Sequence, residues 1–170
     1  MGRILRACVT IALLISLAPV CGNTKYVSSC NDARMIGKDD MSKVVSYMSG
    51  SIITYVGSVK ERRVAISISR IKNLSSDHID TMMIADGIAV ELVKKGIPLI
   101  DRPDSPVNAT AEQSLLVLSG SVHDITDYSG DYCVVQYVFS LKLVNPVSHK
   151  VEWMDSVTIE KRFRRERISY

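Results

Sequence analysis

The sequence predicts an α+β domain: a small, mostly antiparallel sheet of four to five strands flanked by helices. Three observations carry this. Two segments, one from Asp39 on and one over 78–95, repeat apolar residues at three- and four-residue spacing, the signature of amphipathic helices. Several others alternate apolar and polar residues, the signature of half-buried strands. The last three of these are joined by short, turn-rich stretches, which makes an antiparallel meander. At 170 residues and 46% apolar, the chain can build one core and hardly two.

The N-terminus comes first. "MGRILRACVTIALLISLAPVC" places Arg3 and Arg6 ahead of an uncharged apolar run from Ala7 to Val20. That is the layout of a signal peptide, and the run is shorter than the roughly 20 residues a membrane span needs. Residues 1–20 therefore read as a signal, 21–38 as a tether without periodicity, and 39–170 as the globular domain. Cys21 directly follows the apolar run, where a bacterial lipoprotein carries its lipid; Cys30, in "VSSC", is the alternative. Several acyl chains on one cysteine give a stable membrane anchor.

Along the domain, Met41, Val44, Val45, Met48 and Ile52 define the first helix, with Asp39 and Asp40 at its positive end and Gly50 and Gly57 weakening its far end. In "RRVAISISRI", Val64, Ile66 and Ile68 alternate with Ala65, Ser67 and Ser69, a strand over 63–71. The helix at 78–95 has an apolar face of Ile79, Met82, Met83, Ala85, Ala89, Leu92 and Val93, and Gly96 is its stop. "IPLI" (97–100) reads as a short strand and 102–112 as a loop. The meander follows as strands 115–125, 132–144 and 151–163. On the second, Cys133, Val135, Tyr137, Phe139, Leu141 and Leu143 share a face; on the third, Val151, Trp153, Val157 and Ile159 do.

The polar knot Asn73–Asp80 is the main functional candidate. Ser76 or Asp77 is placed to cap the second helix, and Asp77 and Asp80 suit its positive end. Asp77, His78 and Asp80 are too few donors for a metal site. A loop at a strand end is also where binding residues collect, which makes Arg70, Lys72, Asn73, Asp77 and His78 candidate partner-binding residues. Cys133, His123 and Asp124 contain the residue types of a thiol hydrolase, but Cys133 lies on an apolar face, where a thiol is inert. No hydrolase, zinc-protease, P-loop or dinucleotide motif is present. No cofactor or metal is implied.

The net charge is +3, and removal of Arg3 and Arg6 leaves 3 − 2 = +1, which does not mark a nucleic-acid-binding surface. The basic run "EKRFRRERISY" reads as a solvated strand end. With Cys8 in the signal and Cys21 lipidated, Cys30 and Cys133 remain, and no spacing argument decides whether they pair.

"RIKNLSSDHIDT" after a strand, "GIPLIDR", "LLVLSGSV" and "VEWMDSVTIEKRFRR", in that order over about residues 40–165, resemble the LpoB family of lipoprotein activators of class A penicillin-binding proteins. The resemblance implies a fold similar to the N-terminal domain of TolB and to the export lipoprotein CsgG. It also implies a non-enzymatic, periplasm-facing lipoprotein of the cell envelope, in the outer membrane, whose partner is a class A penicillin-binding protein. An assembly lipoprotein of the CsgG type is the alternative.

Overall fold

A computed structural model describes residues 36–59, 63–100 and 113–164. The signal, residues 21–35 of the tether with Cys21 and Cys30, and the 102–112 loop lie outside the described residues, while Ile36 packs on the core and Lys38 already belongs to the first helix. The order of elements is α1 (Lys38–Ser58), β1 (Arg63–Asn73), α2 (Thr81–Lys94), β2 (Gln113–Ser129), β3 (Tyr132–Val144) and β4 (Val151–Arg164). This is the α+β class, with one sheet in the order β1-β2-β3-β4.

The sheet is mixed. β1 runs parallel to β2, while β2–β3 and β3–β4 are antiparallel. The expected fifth strand at 97–100 contributes a single parallel bridge, Ile66 to Leu99. Ile66 gives its N–H to Pro98 O at 2.9 Å and takes Ile100 N–H at 2.9 Å. Gly96, with φ of 75°, supplies the left-handed turn that stops α2 and sends the chain back along β1.

Both helices lie on one face of the sheet. Val44, Met48 and Ile52 of α1 and Ile84, Ile88 and Leu92 of α2 are buried against Ile66, Leu116, Leu118, Val122, Tyr137, Phe139, Leu141 and Leu143. Burying each such side chain fully contributes roughly 1.5–3 kcal/mol. β3, central in the sheet, shows the expected alternation, with Cys133 through Leu143 inward at every second residue. α1 runs unbroken through Gly50 and Gly57.

Four expectations need correction. First, α2 begins at Thr81 rather than at 78. Second, its buried face is the narrow stripe Ile84, Ile88 and Leu92, which leaves Met82 72% and Val93 58% exposed. α2 packs mainly on α1 and β1, at the rim, so one row of side chains at i, i+4 spacing fills most of its contact. Third, β1 does not alternate to its end. A bulge between Ile68 and Ile71 sets one extra residue against β2, which returns Ile71 to the core and leaves Ser69 and Arg70 exposed. Fourth, Val151 is 45% exposed, because a register shift between Leu143 and Val144 takes it off the face of Trp153.

Candidate functional site

The polar knot is folded onto the sheet by its own side chains. Asn73 Nδ2 donates to Asp77 O at 2.8 Å, and Asn73 Oδ1 accepts from Ser75 N at 3.0 Å and from Ser75 Oγ at 2.6 Å. This is an Asx turn that closes the loop on itself. Two ties then cross to the meander. Ser76 donates its N–H to Asp124 Oδ1 at 2.9 Å and its hydroxyl to Asp124 Oδ2 at 2.5 Å. The hydroxyl of Tyr137, a fully buried residue, donates to Asp77 Oδ2.

Neither Ser76 nor Asp77 caps α2. The cap is Asp80, whose Oδ1 accepts from Met82 N at 3.1 Å and Met83 N at 3.2 Å. Asp77 and Ser76 are drawn to the sheet instead, and the helix starts after the Asx turn has been completed.

The five candidate binding residues are not brought into one cluster. Asn73 and Asp77 are half-buried and turned into the knot. Arg70, exposed by the bulge, borders a groove of about 590 Å³ between β1 and α2, floored by Ile68, Ala85, Ala89 and Leu99. Lys72 is exposed beside Ser121, on the sheet face away from the helices. His78 is exposed over a shallow hollow of about 330 Å³, shared with Ile36, Met41, Ile79 and Met83. Arg70, Lys72 and His78 thus stand on three sides of the knot. Sequence reasoning missed the apolar residues around them: Leu74 is 56% exposed and Met82 72%. The signal was present, since Leu74 is a lone apolar residue inside a polar loop.

His123, Asp124 and Cys133 are also apart. Cys133 is buried on the helix-facing side of the sheet. His123 is exposed, paired with Val138 across the strands, and 3.1 Å from Ser121 Oγ. Asp124 serves Ser76. Among the described residues no group of three or more His, Cys, Asp or Glu is arranged to hold a metal ion. No described helix is long and apolar enough to cross a membrane.

A charged pair lies beside the knot, at the start of α1. Asp40, in the first turn of α1, takes Gly37 N–H at 3.1 Å and pairs with Lys161 of β4. Burial pushes its carboxyl up. The Lys161 ammonium, the Gly37 N–H and Lys43 more than offset this and hold it below the usual aspartate value.

The described residues thus build a small sheet with two helices on one face and a self-closed polar knot at one strand end. The chain is similar to the LpoB family: residues 40–115 match the family described as "Peptidoglycan-synthase activator LpoB". The match spans α1, β1, the knot, α2 and the start of β2, and does not reach the Glu152-Trp153 strand. Among solved structures, lipoprotein GNA1162 from Neisseria meningitidis is 18% identical, with 58% of this chain and 83% of that chain covered and a TM-score of 0.43. The LpoB C-terminal domain from Escherichia coli is 9% identical, covering 66% and 98%, with a TM-score of 0.40. The solution structure of E. coli LpoB is 11% identical, covering 95% and 82%, with a TM-score of 0.40. No curated protein sequence matches the chain.

Proposed function

We propose that this protein is a non-enzymatic lipoprotein of the bacterial cell envelope that binds a class A penicillin-binding protein and raises its peptidoglycan synthase activity. The family match over residues 40–115 carries the reading. Its lipid sits on Cys21, with Cys30 as the alternative, and holds the domain on the periplasmic face of the outer membrane. Activation is a population shift: the regulator binds the active state of the synthase more tightly and so enriches it.

The contact surface is the rim of the knot. Arg70, Lys72 and His78 supply charge and polarity there, and the exposed Leu74 and Met82 supply apolar area. Asn73 and Asp77 act beneath them by holding the loop in shape. The purified full chain is expected to raise glycan polymerisation by a class A penicillin-binding protein severalfold. R70E with K72E is expected to abolish that rise while leaving the melting temperature within a few degrees of wild type, since both side chains are exposed. No stimulation by a folded, lipidated chain would overturn the activator reading. Full stimulation by the double variant would overturn only the choice of surface.

A further inference from the structure

β4 is the last strand of the sheet, and no described strand pairs with its outer side. An edge strand offers a row of unpaired N–H and C=O groups to another chain. Along β4 the core is also unfinished. Trp153, Val157, Ile159 and Phe163 face the helices yet are only partly buried, whereas their partners on β3 are fully buried.

The strand is complementary to itself. Set two copies antiparallel with Thr158 opposite Thr158. On the helix-facing side, Trp153 then meets Phe163, Asp155 meets Lys161, and Val157 meets Ile159; on the other side, Ser156 meets Glu160. Aromatic lies against aromatic, aliphatic against aliphatic, and acid against base, each pair occurring twice about the twofold axis. The register is also selective. Moving the centre one residue towards the N-terminus puts Lys161 opposite Trp153 and Asp155 opposite Ile159. Moving it the other way puts Asp155 opposite Phe163 and Lys161 opposite Val157. Both shifts strand charges against apolar residues at the edge of the core. Asp155 and Lys161 already hold α1, through Ser51 and Asp40 respectively, and the twofold adds an opposite charge to each.

We infer that the partner of this edge is a second copy of the chain, paired β4 to β4 about Thr158 to make one eight-stranded sheet. The inference stands apart from the activator reading, whose surface is on the knot.

The test uses the full chain in detergent micelles. Sedimentation velocity is expected to show a dimer. T158C is expected to form a disulfide-linked dimer under mild oxidation at least roughly tenfold faster than T54C, a control on the exposed side of α1. S156E sets a carboxylate opposite Glu160 twice per dimer and is expected to weaken association roughly tenfold; S156E with E160K is expected to restore it. A monomeric wild type, or T158C crosslinking no faster than T54C, would overturn the proposal. So would a dimer indifferent to S156E, which would have to form through another face.

Discussion

The ammonium of Lys161 on β4 meets the carboxylate of Asp40 in the first turn of α1, across 121 residues of chain. Asp40 has only 12% of its side chain exposed and Lys161 has 27%, so this is a shielded pair at a helix N-terminus. With Ser51, whose hydroxyl donates to Asp155 at 2.6 Å and accepts from Trp153 Nε1 at 3.3 Å, it pins α1 to the edge strand β4.

The pair makes stability depend on pH. The folded protein lowers the Asp40 pKa, so its contribution is present above the ordinary aspartate value of about 4 and is lost as pH falls through and below it. D40N is therefore expected to lower stability by about 1–2 kcal/mol at pH 7, with the gap to wild type closing below about pH 4. Thermal melts of both proteins from pH 7 to pH 3 check this. A gap constant across that range would show that the ion pair contributes nothing.

The knot separates capping from docking. D80A removes the acceptor for Met82 and Met83 N–H and is expected to cost about 1 kcal/mol, with faster amide exchange confined to the first turn of α2. D77A removes the Tyr137 contact. It is expected to cost about 1–3 kcal/mol and to speed exchange across 73–79 while sparing that turn. Equal exchange profiles for the two variants would contradict the division of labour.

Gly120 is fixed by close approach. A Cβ there would lie 2.3 Å from Ser140 O and 2.3 Å from Leu141 Cδ2. The carbonyl belongs to the β2–β3 ladder and cannot move without breaking it, so G120A is expected to cost about 3 kcal/mol. Denaturant unfolding measures this, and a loss below about 1 kcal/mol would mean that the strands separate at little cost.

Cys133 is fully buried, so a thiol reagent is expected to modify it only at the rate of unfolding. C133A is expected to keep synthase stimulation. Loss of stimulation in a folded C133A variant would revive a chemical role for the thiol.

Periodicity made α1 and β3 legible. Met41, Val44, Met48 and Ile52, and every second residue from Cys133 to Leu143, each answer to one continuous apolar surface, and the hydrophobic effect imposes the period of the element directly on the sequence. The polar knot at 73–80 was visible for the same local reason, as a break between two periodic segments. Its internal wiring was not. Asp77, Ser76 and Asp80 are equally able to accept a helix N–H, and the choice fell to Asp80 because Tyr137 and Asp124, some fifty to sixty residues on, claim the other two. Helical spacing assigns the exposed Met82 and Val93 to the core face, because it identifies a stripe but not how much of it a rim position covers. The bulge after Ile68, the single bridge at Leu99 and the Asp40–Lys161 pair likewise depend on which segments become neighbours. Sequence by itself determined the elements, because backbone geometry and burial act over a few residues. Only the tertiary structure decided the partners of each polar group, because a hydrogen bond or ion pair depends on distance in space and leaves no period along the chain.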